Sequence, residues 1–220
     1  MSHPAAVIFD LDGVLIDSEG VWNDARRELV RESGGTWTED AQRAMMGMSS
    51  VEWSRYIRDE LAVAMSAEEI SAAVAGHVEG IYRRQLPLLP GARRAVISLA
   101  ARFPLAVASS ANRPVIDLVL GLAGLTRAFR AEVSSEEVAR GKPAPDVYLE
   151  AARRISVPAA RCAAVEDSAN GLRAAAAAGM SVIAIPNREF PPDKAALALA
   201  DVVLPSIEHL SPGVVTALER

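Results

Sequence analysis

The chain has 220 residues, half of them hydrophobic and 23% charged, with a net charge of −5. That is enough to bury the core of one large domain, or of a domain carrying a smaller insert, and it reads as a soluble globular protein. An acidic balance without a long basic cluster argues against nucleic acid as the main partner, and no apolar run reaches the roughly 18 to 20 residues that span a bilayer, so no membrane partner is expected.

The N-terminal stretch lacks the basic start and long apolar run of a secretory signal, which makes a cytoplasmic enzyme the expectation. The single cysteine, Cys162, lies in an apolar run; it cannot form a disulfide within the chain and is expected to be a small core residue.

The first element is a short apolar run, Val7 to Phe9, ending in Asp10-Leu11-Asp12-Gly13. It reads as a buried strand that delivers two carboxylates to a loop. The same spacing is also compatible with a plain strand end followed by a turn, with Gly13 supplying a positive φ. From Ser18 to Leu86 the pattern turns helical. Val21, Trp22, Ala25, Leu29 and Val30 mark one helix, Asp40 to Met46 a second, and Val51, Trp53, Tyr56, Ile57 and Leu61 a third. Ser66 with Glu69 three residues on forms a capping-box signature opening a fourth, through Tyr82. The prolines and glycine of Pro87 to Gly91 mark the exit, giving an expected core of residues 1–15 and 88–220 and an expected helical cap of residues 16–87.

Beyond Gly91 helices and strands alternate. The strands are expected at Pro104 to Ser109, Ala131 to Ser134, Cys162 to Asp167, Ser181 to Ile185 and Val202 to Leu204, with helices between them and at the C-terminal end. This alternation predicts an α/β fold: a doubly wound, Rossmann-like parallel sheet with an inserted small α-helical cap. The alanine run Ala174 to Ala178 reads as a tightly packed helix, since alanine has the highest helix propensity.

In such sheets ligands bind beyond the carboxyl ends of the strands. Those ends carry Asp10 and Asp12, then Ser109 and Ser110, then Glu166 and Asp167. A carboxylate can attack phosphorus while a second moves protons, and two anions facing an anionic ester call for a hard cation such as Mg²⁺. Ser109 could donate to a phosphate oxygen, helped by the backbone N–H groups of Ser110 and Ala111, or could simply cap the next helix. Lys142 stands in a loop stiffened by Pro143 and Pro145, and the adjacent acids Glu166 and Asp167 need a cation or donors between them.

Asp10-x-Asp12-Gly13, Ser109 after an apolar strand, Lys142-Pro143, and Glu166-Asp167-Ser168 with Gly171 together resemble the haloacid dehalogenase-like phosphohydrolases, and the helical insert resembles the cap of the branch with β-phosphoglucomutase, phosphoglycolate phosphatase and sugar-phosphate phosphatases. The resemblance implies Asp10 as the nucleophile that becomes phosphorylated and Asp12 as general acid and base. It implies Ser109, Ser110 and Lys142 around the phosphoryl group. Mg²⁺ would be held by Asp10, the backbone carbonyl of Asp12, and Asp167, with Glu166 a ligand or a supporting group.

Two positions depart from the mutase pattern, Trp22 in place of a histidine and Ser50 in place of a cap arginine, so water is the expected phosphoryl acceptor. Short segments such as Asp17 to Trp22 look most like phosphatases of 2-deoxyglucose 6-phosphate and hexitol phosphates. The expected partner is thus a small phosphorylated metabolite, handled by a monomer or weak dimer. Gly47, Ser49, Ser50 and Trp22 are the expected specificity positions, although aromatic residues such as Trp22 and Trp53 are more often core. A mutase, and a non-catalytic binding module on the same fold, are the alternatives; the second predicts loss of Asp10 or Asp12, and both are present.

Overall fold

The computed structural model describes residues 3–45, 48–188 and 190–218. Its centre is β1 (Ala6–Phe9), whose four residues are fully buried. Side chains alternate across a strand, so a run apolar at every position fits a sheet covered on both faces. Val7 and Phe9 join one apolar cluster and Ala6 and Ile8 the other.

Four helices follow: α1 (Glu19–Glu32), α2 (Ala41–Met45), α3 (Ser50–Glu60) and α4 (Ala67–Arg84). The expected capping box forms as read, with Ser66 accepting from the Glu69 N–H and the Glu69 side chain accepting from the Ser66 N–H. Helix α4 packs on α1 and α3, and their buried stripes, including Trp22, Leu29, Trp53, Ile57, Ile70 and Val74, run without a break into the cluster on one face of the sheet.

The chain then alternates through α5 (Ala92–Ala100), β2 (Leu105–Ser109), α6 (Arg113–Ala123), β3 (Ala131–Ser134), α7 (Asp146–Arg154), β4 (Cys162–Glu166), α8 (Ala169–Ala177), β5 (Ser181–Ala184), α9 (Lys194–Leu197), β6 (Val202–Val203) and α10 (Pro212–Thr216). Among the described residues, six strands form one parallel sheet in the order β3-β2-β1-β4-β5-β6. Helices α5 and α6 cover the face that carries Val7 and Phe9, while α7 and α8 cover the other. The alanines of α8 serve close packing: Ala174 and Ala175 are fully buried against Val182 and Ala184 of β5. Cys162 is a buried core residue.

The strand order reverses between β1 and β4, so their C-terminal ends open a crevice at the switch point. Asp10 and Asp167 leave the sheet on either side of it. No described helix is long and apolar enough to cross a membrane.

At the surface of α7, Glu150 accepts from Nε of Arg153 and of Arg154, both at 2.7 Å. Hydrogen bonds from Arg153 and then Arg154 hold its carboxyl down at about 2. A depressed folded-state pKa contributes stability above the ordinary carboxylate range and loses it as pH falls through about 2. Glu150→Gln should therefore cost about 0.2–1 kcal/mol at pH 7, the small value reflecting solvent screening, and the gap to wild type should close in denaturant melts toward pH 2.

Candidate active site

Asp10 continues β1 into the crevice, its N–H bonded to the Val165 carbonyl at 3.0 Å, which fixes the backbone that presents the carboxylate. Lys142 reaches it from the loop before α7. Its ammonium donates to Asp10 Oδ1 at 2.7 Å and to Glu166 Oε1 at 2.6 Å, and all three residues are buried. Burial opposes the lysine's charge, but Asp10 and Glu166 outweigh it and raise its pKa.

Glu166, with no exposed surface, is saturated by the protein itself. Oε1 also accepts from the Tyr148 hydroxyl at 2.8 Å, while Oε2 accepts from the backbone N–H groups of Asp167 and Ser168 and from the Ser168 hydroxyl, at 3.0 to 3.2 Å. These donors answer the repulsion expected of two adjacent acids. Asp167 instead turns into the cavity. Burial, then the charges of Glu166 and Asp10, push its carboxyl well above the usual range, and burial opposed by Lys142 pushes Asp10 up to about 8.

Two glycines make room for these acids. A Cβ at Gly13, whose φ is +73°, would fall on the Asp167 carboxylate, and one at Gly171 in the first turn of α8 would fall on the Glu166 carboxylate. Gly171→Ala must displace a carboxylate held by five donors. A loss of about 1–3 kcal/mol in unfolding free energy is expected, from overpacking and broken hydrogen bonds, and chemical denaturation measures it.

Asp12 is held differently. Its Oδ1 accepts from the Ser18 hydroxyl at 2.5 Å and from Trp22 Nε1 at 3.0 Å, and among the described residues Oδ2 has only the Ser109 hydroxyl, at 3.4 Å. One oxygen is fixed while the other stays available for proton transfer.

The crevice opens into a cavity of about 550 Å³, lined by Asp10, Asp12, Lys142, Asp167, Ser110 and Trp22 among others. Ser109 is fully buried behind it, where its hydroxyl accepts from the Ala111 N–H at 3.0 Å, so Ser110 and Ala111 form the wall. Ser49 and Ser50 stand elsewhere than expected. Both are buried at the start of α3, where the Ser49 N–H and hydroxyl donate to Glu52 and the Ser50 hydroxyl donates to Glu136, so neighbouring acids occupy both hydroxyls. Gly47 lies outside the described residues.

Sequence reasoning missed Ser18, Glu19, Arg26, Arg43 and Tyr148. Glu19, Trp22 and Arg26 fall three and four residues apart and line the same cavity, a helical spacing that could have found them. Tyr148 carried no such signal, since only the packing of α7 brings it to Glu166.

A parallel sheet whose switch point gathers three buried acids around one lysine is a site for a highly charged small ligand. The model of the haloacid dehalogenase-like hydrolases matches residues 4–179, and the chain belongs to this family. Hexitol phosphatase B of Escherichia coli is 33% identical over 212 residues, covering 94% of each chain. The phosphorylated carbohydrates phosphatase of Thermotoga maritima is 32% identical over 180 residues, covering 81% of this chain and 83% of that one. Among solved structures, CbbY of Rhodobacter sphaeroides, in a complex with phosphate, superposes with a TM-score of 0.86 at 26% identity, covering 98% of this chain and all of that one. The protein is accordingly a phosphoric monoester hydrolase.

Proposed function

We propose that this chain is a Mg²⁺-dependent phosphatase of small phosphorylated metabolites, sugar phosphates above all, working through a phosphorylated Asp10. The observation that carries this is the charge balance at the switch point. Oxygens of Asp10, Glu166 and Asp167 lie within 4.8 Å of one another, against the single ammonium of Lys142. Burial and crowding hold Asp10 and Asp167 toward their protonated forms, and a second cation among them would let both ionise; an all-oxygen donor set suits a hard dication. With Glu166 saturated, Asp10 and Asp167 are the side chains that would hold it. When bound, Mg²⁺ would offset the charge of the ester and of the acids beside it.

The residues divide the work. Lys142 orients Asp10 for attack on phosphorus and neutralises charge as the phosphoryl group transfers. Asp12, one oxygen fixed by Ser18 and Trp22, gives a proton from the other to the leaving oxygen, then takes one from the water that hydrolyses the aspartyl phosphate. Residues 16–87 act as a cap that excludes bulk water. The sugar-phosphate class is supported by the names of the relatives, the hexitol phosphatase and the phosphorylated carbohydrates phosphatase.

Phosphate release from a panel of hexitol, hexose and glycolate phosphates and nucleotides tests the reading. Release from several sugar phosphates is expected; isomerisation of β-glucose 1-phosphate without release would instead establish a mutase. EDTA should suppress turnover at least 100-fold, with recovery on adding Mg²⁺, because the surplus buried charge is then uncompensated. Full activity after dialysis against chelator would remove the metal from the account.

A further inference from the structure

Arg26 is used by none of the steps above, yet it lines the same cavity. It projects from α1, is 7% exposed, and its guanidinium carbon lies 5.5 Å from the Trp22 ring centroid and 5.1 Å from that of Trp53. Cation–π contacts of this kind hold a guanidinium in place without requiring its N–H donors. Among the described residues its buried Nε has no hydrogen-bond partner and the guanidinium forms no ion pair within 4.0 Å. Glu19 lines the cavity too, and its charge and that of Asp12 partly offset the burial that lowers the arginine's pKa.

A buried cation without an acceptor is costly unless something supplies one. Trp22 fixes where that acceptor must sit. Its indole N–H holds Asp12 while its ring faces Arg26, so the guanidinium stands one indole away from the group assigned to the leaving oxygen.

We infer that Arg26, packed beside Trp22 and Trp53, is a specificity residue that binds a second anionic group, carboxylate or phosphate, carried on a short spacer from the phosphoryl group of the substrate. This rests on the phosphatase reading and narrows it: the preferred esters bear a charged tail. Arg43, a further cavity residue, is exposed and 3.9 Å from Asp40, so it lacks the buried, preset geometry.

The test is calorimetric binding of three phosphonates in Mg²⁺ buffer, none of them hydrolysable: propylphosphonate, 3-phosphonopropionate and propane-1,3-diphosphonate. The wild type should bind at least one charged-tail ligand about tenfold or more tighter than propylphosphonate, and which one gains separates carboxylate from phosphate. Arg26→Met should bring the affinities within about twofold, whereas Arg26→Lys, which keeps the charge, should retain part of the advantage. Equal affinities in the wild type, or an advantage surviving in Arg26→Met, would overturn the inference. Phosphate release from neutral-tailed esters alongside equal affinities would overturn it alone and leave the hydrolase standing. Failure of the wild type to bind any of the three would overturn both.

Discussion

Asp10→Asn is expected to lower turnover by about 10⁴-fold or more while leaving the fold intact. Asparagine matches aspartate in shape and can still accept from Lys142, but its amide is no nucleophile. The stability consequence runs opposite to the kinetic one. Asp10 is pushed up to about 8 by burial and by Glu166 and Asp12, so removing its charge relieves a repulsion that Lys142 answers only in part. The variant should melt no lower than wild type in metal-free buffer, the usual trade at a site whose charges serve chemistry before stability. Steady-state phosphate release and a thermal melt read the two effects separately. Near-wild-type turnover would rule out Asp10 as the attacking group.

Lys142→Met should fail in both respects. The lysine is the shared partner of Asp10 and Glu166, and the carboxylate of Glu166 has no exposed surface. Removing one member of a buried ion cluster costs about 3–5 kcal/mol, because the remaining charges stay desolvated and unpaired. For a chain of this size each kcal/mol is worth about 2–4 °C, so a drop of about 6–20 °C in Tm is expected. Glu166→Gln in the same chain removes one stranded charge and should recover part of that stability but none of the activity, which separates the structural from the catalytic duty of the lysine. Lys142→Arg should not rescue turnover, since a planar fork cannot place one donor between two acceptors at 2.7 and 2.6 Å in the space of an ammonium.

The gathering of the charged residues was legible in the chain because they stand at strand ends. Asp10, Glu166 and Asp167 each close an apolar run, and a parallel sheet carries such ends to one edge whatever the loops do. Lys142 was marked by the prolines around it. The helices were legible where their apolar stripe spanned several turns, as in α1, α3 and α4; α9, four residues long, is too short for a period to register. The cavity roof was not legible in the same way. Trp22 read as core more readily than as ligand wall, and it is both: 5% exposed, it packs beside Trp53, donates to Asp12 and lines the cavity. Ser49 and Ser50 were expected as specificity positions, and nothing in their spacing showed that their hydroxyls donate to Glu52 and Glu136. Arg26 and Tyr148 depend on how a helix is docked, which spacing alone does not specify.

On the proposed mechanism the phosphoryl group passes to Asp10 itself. Acid quench during turnover, reduction with borohydride and mass spectrometry of the peptide covering residues 1–26 test it directly, because an acyl phosphate is reduced to an alcohol while a free carboxylate is not. Position 10 alone should lose its carboxylate and be recovered as homoserine. Reduction at Asp12 instead, or phosphate release with every aspartate of that peptide unmodified, would contradict the mechanism.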